Sequence, residues 1–400
     1  MPLPSCASSR ETPDRDILSR RDFVAATALG MLGLRNATGF MPLVGSPVLY
    51  VGTYTEGGRR DGIHLLRMDS TTGALRHLTA VDAGPNPSFL TVHPNGRTLL
   101  AVNEVNDSGG KATGTLRSFA IDATSGALTP INAQASEGAA PCYVSTDRTG
   151  RVAMVANYVG GTVALLRIRD DGALTNASQV VQHVGTGRNP ARQEHAHAHC
   201  IMPHPNNELA LAADLGVDRV LVYRLDVGAG TLTHVEASDA VMTPGTGPRH
   251  LAFHPTLPLV YVAGELSSTI SLLRCDPASG ALSVLQTLST LPAGYTGENY
   301  PADIHVAPDG RAVYLSNRGQ NAIAVFSLSD TGMLTLMQSV PTGGDWPRNF
   351  TLDPTGRWLL VANQRSGSIL VFARNQDDGR LTPTPQRIDL PSPVCLRFAR

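Results

Sequence analysis

The feature that most constrains this chain is a unit of about 40 to 55 residues, repeated along almost its whole length. Its clearest copy is WPRNFTLDPTGRWLLVANQRSGSILVFARNQDDGRL, from Trp346 to Leu381. An apolar run (Phe350 to Leu352) leads into a tight turn (Asp353 to Gly356) and a second apolar run (Trp358 to Ala362). After a polar break comes a third, alternating run (Ser368 to Phe372), and the unit closes at Gly379. This is the pattern of a small antiparallel sheet. Copies open at Pro87, Pro141, Ala198, Pro248, Pro301 and Pro347, turn at HPNGR, DRTGR, HPNNE, HPTLP, APDGR and DPTGR, and close at Gly126, Gly172, Gly230, Gly280, Gly332 and Gly379. A seventh copy is split, because Ser392 to Phe398 repeats only the opening run and Leu49 to Leu75 supplies everything else. Joining the two closes a ring and leaves no free sheet edge at the seam. The expected fold is therefore all-β, a seven-bladed β-propeller over residues 46–400, with the C-terminal strand completing the N-terminal blade.

Composition fits this reading and removes several function classes. With 39 Gly and 28 Pro the chain is rich in turns, and repetition lets seven small sheets form one domain where a single core of this size would split. A formal net charge of -1, with no basic block in the body, offers no footprint for nucleic acid or for a membrane surface. The five cysteines, Cys6, Cys142, Cys200, Cys275 and Cys395, show no CxxC spacing and read as buried free thiols.

Residues 1–45 differ in kind. Ser19-Arg20-Arg21-Asp22-Phe23 runs into an apolar stretch from Val24 to Leu34, too short to span a bilayer. Paired arginines before a short apolar region look like a twin-arginine export signal, which implies the export machinery as a partner, a periplasmic or exported destination and no stable membrane insertion. Without that signal the location would be the cytoplasm.

The hairpin at the start of each unit places its functional residues. Its second strand returns the chain to its starting end, so positions near zero and near sixteen lie side by side at one mouth of the channel. Position one carries Ser88, Cys142, His199, Arg249, Ala302, Arg348 and Val394. Position sixteen carries Asn103, Asn157, Asp214, Gly264, Asn317 and Asn363, and position seventeen Glu104, Tyr158, Leu215, Glu265, Arg318 and Gln364. Charge from different blades thus gathers at one rim, the expected site. The recurring Asn is expected to cap its turn, and His93, His204 and His254, at the opposite end, to be structural turn residues.

The longest connection, GTGRNPARQEHAHAHC from Gly185 to Cys200, carries His195, His197 and His199 in alternation, on one face if the strand extends back that far. Three imidazoles suit a metal, but no carboxylate is read at ligand spacing beside them, so the expectation is no metal and no cofactor. A His that gives or takes a proton is preferred.

The segments NPARQEHAHAH (Asn189 to His199), GPRHLAFHP (Gly247 to Pro255), GELSSTI (from Gly264), YPADIHVAPDGRAVYLSNRG (Tyr300 to Gly319) and WPRNFTLDPTGRWLLVANQ (Trp346 to Gln364) resemble the seven-bladed propeller lactonases. That family includes propeller-type 6-phosphogluconolactonases and carboxy-muconate lactonizing enzymes, and the resemblance covers about residues 48–398. It implies His199, Glu265, Arg249 and Arg318 as catalytic residues, with Arg192 and His197 beside them; Glu104, Arg348 and Gln364, from the same rim positions of the repeat, join Arg192 and His197 as expected substrate-binding residues for a small lactone or sugar acid. Two departures are Ala196, where the family usually has Pro, and the export signal, which is out of place for a cytosolic sugar phosphate. Lactone opening needs a base for the attacking water and a cradle for the carbonyl oxygen. Glu265, with a raised pKa, or His199 would take the proton, and Arg249 and Arg318 would hold the oxyanion or an acidic group. On this reading Glu265→Gln removes activity without loss of stability. The alternatives are a structural Glu265 ion pair, a muconate-type cyclase, or an exported binding propeller without catalysis.

Overall fold

The computed structural model describes residues 46–55 and 58–399; the export signal and Cys6 lie outside them. Seven antiparallel sheets follow one another along the chain, with hydrogen-bonded neighbours in sequence order within each blade. The first blade is the exception that closes the ring, since its innermost strand is the C-terminal Pro393–Phe398, paired with Val48–Thr53. The innermost strands of successive blades touch all the way round, including those of blade 7 and the C-terminal strand.

Burial explains the written pattern. Second strands such as Val152–Asn157 and Leu259–Gly264 are covered on both faces and read as unbroken apolar runs. Outer strands such as Leu174–Gln182 alternate, with one face on the neighbouring blade and one in solvent. Neighbouring blades are also stitched by polar contacts that recur. The hydroxyls of Tyr50, Tyr261 and Tyr314 donate to the carbonyls of Gly126, Gly332 and Gly379, the closing glycines of the next blade, at 2.7 to 2.9 Å. His93 and His254 join their own turns to the carbonyls of Gly150 and Gly310, and His204 accepts from Asn206 N, so all three are turn residues as expected. Cys142, Cys200, Cys275 and Cys395 are buried free thiols.

Blade 4 departs from the four-stranded pattern. Its outer strand Thr231–His234 stops early and Ala240–Val241 resumes the pairing. In the gap the side chain of Asp239, not a backbone carbonyl, accepts the Val222 amide at 2.9 Å.

Candidate active site

The hairpin arithmetic holds residue for residue. Position zero faces position sixteen in Pro141↔Asn157, Ala198↔Asp214, Pro248↔Gly264, Pro301↔Asn317 and Pro347↔Asn363. The register slips immediately afterwards in each of these hairpins, and the same slip flanks Val394 in the closing strand. Position one is therefore the extra residue of a β-bulge, which turns its side chain out of the sheet alternation. Cys142, Arg249, Arg348 and Val394 consequently line a single void in the channel together with Glu104 and with Ser88, which directly precedes the first strand of its blade. That void measures only about 10 Å³, room for roughly one water and too small for a larger ligand.

Glu265 is the electrostatic centre. It follows the second strand of blade 5 and is 4% exposed, yet three guanidiniums from different places reach it. Arg192, from the long connection, meets Oε1 at 2.7 Å, while Arg249 and Arg318 meet Oε2 at 3.0 and 2.9 Å. Arg249 Nε lies off a directed hydrogen bond and counts as a buried donor without a partner, so that contact is charge pairing. Burial pushes the Glu265 carboxyl up, but Arg318, Arg249 and Arg192 outweigh it and hold the group at about 2. This corrects the expectation of a raised pKa: Glu265 is a fixed anion that gathers cations, and both of its oxygens are engaged by guanidiniums.

The arginines are themselves anchored. Arg318 donates to the carbonyls of Tyr300 and Pro301 at 3.0 and 3.3 Å. Arg249 Nη1 donates to Ala302 O at 2.7 Å and to His250 Nε2 at 3.2 Å. His250 in turn gives its Nδ1 proton to Asp303 at 2.8 Å, and burial with Arg249 beside it pushes the imidazole down to about 3. Arg348 stands 3.7 Å from Glu104, whose other oxygen accepts the Tyr54 hydroxyl at 2.9 Å. Within these ion pairs four guanidiniums face two carboxylates, an excess of two positive charges.

His199 lies in its bulge with Nδ1 3.6 Å from Cys142 Sγ and its ring edge-on to Tyr158 and His250. Burial, with Arg249, His250 and Arg348 adding to it, holds its pKa well below 6.5 and keeps it neutral. The condition for the three histidines to share one strand face is not met, and the rings of His195 and His197 lie side by side in the connection, 4.2 Å apart. The strand begins only at Ala198, and the Tyr158 ring stacks on His197 at 4.5 Å while meeting His199 by its edge. Gln364, at position seventeen of blade 7, has a buried Oε1 without a partner, as does Ser88 Oγ.

The positioning role of Asp214, with His183 and Tyr223 behind it, escaped the sequence reading. Asp214 accepts the amides of His197 and Gly216 at 2.8 and 2.9 Å through one oxygen and pairs with His183 Nδ1 at 2.6 Å through the other. Tyr223 closes the chain by donating to His183 Nε2 at 2.9 Å. Gly216 is required there, since a Cβ would come within 1.9 Å of His195 O. Where other blades carry Asn at this position, the side chain caps the connection arriving from the preceding blade, as Asn103 does on Ala83 and Pro85, and Asn157 and Asn317 also donate to Thr162 and Gln320 just beyond their own strands.

Comparison with known proteins agrees with this geometry. Residues 48–398 match the family model described as lactonase, 7-bladed beta-propeller. The 6-phosphogluconolactonase of Bacillus subtilis (strain 168) is 36% identical over 350 residues, covering 87% of this chain and 97% of that protein. A 6-phosphogluconolactonase of Formosa agariphila is 32% identical over 297 residues, covering 73% of this chain and 82% of that protein. Among solved structures, the periplasmic gluconolactonase of Pseudomonas aeruginosa superposes with a TM-score of 0.82 at 35% identity, covering 88% of this chain and 99% of that one. The bladed ring, the charged rim and these matches together place the chain in the seven-bladed β-propeller lactonase family.

Proposed function

We propose that the chain opens a sugar lactone by water attack at the channel rim, with His199 as the proton acceptor and Arg249 and Arg318 as the cradle for the carbonyl oxygen. The observation that carries this is the excess of two positive charges, held by fixed guanidiniums around one buried carboxylate. Preset donors cost no reorganisation when negative charge builds on the carbonyl oxygen. Water gives its proton to neutral His199 as it adds to the carbonyl carbon. The bond from that carbon to the ring oxygen then breaks, the ring oxygen takes the proton back, and the product is an open hydroxy acid. Glu265 keeps the forks of Arg192, Arg249 and Arg318 aimed. Arg192, Arg348, Glu104, Gln364 and His197 bind the hydroxyls and any acidic group of the substrate.

Proton release by the purified protein on 6-phosphogluconolactone and on unphosphorylated gluconolactone, above the spontaneous rate, tests this. Release on at least one is expected, with preference for the phosphorylated lactone if the surplus cations read a phosphate. No enzyme-dependent release on either, with turnover of a dicarboxylate diene, would replace hydrolysis by ring closure.

The export reading rests on Arg20 and Arg21 before the apolar stretch and is supported by the periplasmic relative. Among the described residues no helix is long and apolar enough to cross a membrane. Arg20→Lys with Arg21→Lys is expected to retain the full chain in the cytoplasm, as judged by fractionation. Unchanged export of that variant would reject the twin-arginine route.

A further inference from the structure

The connection before blade 4 holds a second cluster that the lactonase chemistry does not use. Glu194, His195 and His197 bring one ligand atom each to within 4.8 Å of one another, the one such group among the described residues. Glu194 Oε1 is 3.3 Å from His197 Nε2 and 3.6 Å from His195 Nε2. The expectation that no carboxylate stands beside these histidines is thereby corrected: Glu194 is adjacent in sequence, and the chain bends it back onto both rings.

The protonation of the rings follows from their partners. His195 Nδ1 lies 2.7 Å from Ala196 O, and His197 Nδ1 lies 3.0 Å from Tyr158 O. A carbonyl only accepts, so both Nδ1 atoms carry the hydrogen, and in the neutral rings both Nε2 atoms turn lone pairs toward the carboxylate. Three lone-pair donors then converge without a hydrogen between them, which is repulsive unless a metal cation sits in the middle or a proton is taken up on one Nε2. The two carboxylate–imidazole separations, 3.3 and 3.6 Å, suit a metal ion, since tetrahedral bonds of 2.0 to 2.1 Å put ligand atoms about 3.4 Å apart. The two backbone carbonyls play the part that fixes ring orientation and tautomer in metal sites. His197 is further held by Asp214 on its amide and by Tyr158 on its face, while Glu194 and His195, each about half exposed, leave an entry path and open positions for water.

We propose that Glu194, His195 and His197 form a binding site for one divalent transition-metal ion of the zinc type at the channel rim. It is separate from the lactone-opening residues except for His197, and it does not rest on the lactonase reading.

Full-length protein without a histidine tag, stripped with EDTA, is to be titrated with Zn²⁺ by calorimetry and with Co²⁺ by visible absorption. One Zn²⁺ per chain is expected, with Co²⁺ giving the intense bands of a tetrahedral site. His195→Ala and Glu194→Gln, both on exposed side chains that leave the fold intact, should each weaken Zn²⁺ by about 100-fold or more, whereas His77→Ala should not. A rise in melting temperature with Zn²⁺ that is lost in His195→Ala would agree, because a ligand bound only to the folded state stabilises it. Absence of stoichiometric binding, or binding unchanged in both variants, would overturn the site and leave a proton-sharing trio. Neither result bears on lactone turnover, which is measured separately.

Discussion

Glu265→Gln is expected to abolish lactone turnover and also to lower the unfolding free energy by about 3–5 kcal/mol, the usual cost of removing one partner from a buried ionic cluster. Two of its three cationic partners, Arg249 and Arg318, are as buried as Glu265 itself. The glutamine keeps the shape and cancels the charge, so the guanidiniums repel one another without compensation and lose their aim. In a domain of this size the melting temperature should drop by several degrees. The expectation from sequence, loss of activity at unchanged stability, belonged to a catalytic base in a pocket and does not survive three ion pairs. The charge balance supplies an independent readout: neutralising Glu265 raises the positive excess from two to three, so inorganic phosphate should bind the variant more tightly although turnover is gone. Acid should mimic the substitution. The carboxyl, held at about 2 against an ordinary 4.5, contributes stability that is complete above pH 4.5 and disappears as pH falls through about 2. Turnover lost at full stability, with phosphate affinity unchanged, would return Glu265 to the role of base; turnover retained would move the reaction elsewhere.

The contrast between what was legible and what was not follows from the kind of information a repeat carries. Periodicity gave the blade count and the seam, and the hairpin pairings Pro301↔Asn317 and Pro347↔Asn363 were computable by counting, because antiparallel register is an arithmetic relation. So Arg249, Glu265 and Arg318 could be placed together from spacing alone. Counting cannot show a bulge, which adds a residue without leaving a mark in the sequence, and it is the bulge that aims Arg249 and Arg348 into the channel. Nor can it weigh charges, since the pKa of Glu265 depends on distances to side chains that arrive from two blades and a connection. Glu194 was missed because the long connection lies outside the repeat, where neither period applies. Asp214 was read as one more polar end-of-strand residue, although a carboxylate in a row of asparagines, with a histidine that could pair with it, was the available signal.

His199→Asn is expected to lower kcat/KM by about 10²–10⁴, the range for loss of a general base, while leaving the melting temperature nearly unchanged. The side chain makes one weak polar contact, 3.6 Å to the Cys142 thiol, and asparagine fills much of the same space without a site that accepts a proton near neutrality. A purely structural histidine would show the opposite split. The pH profile separates base from bystander further. A base works when neutral, and burial with the neighbouring arginines holds the His199 imidazole well below 6.5, so acidification through 6.5 leaves it ready. The acid limb of kcat/KM, corrected for spontaneous opening, should therefore lie below pH 6.5 in the wild type and vanish in His199→Asn. An anionic substrate that binds Arg249 and Arg348 offsets two of the charges that depress this imidazole, so the corresponding limb in kcat should lie at higher pH than the limb in kcat/KM. A limb at or above 6.5 in kcat/KM that persists in the variant would take the base role away from His199.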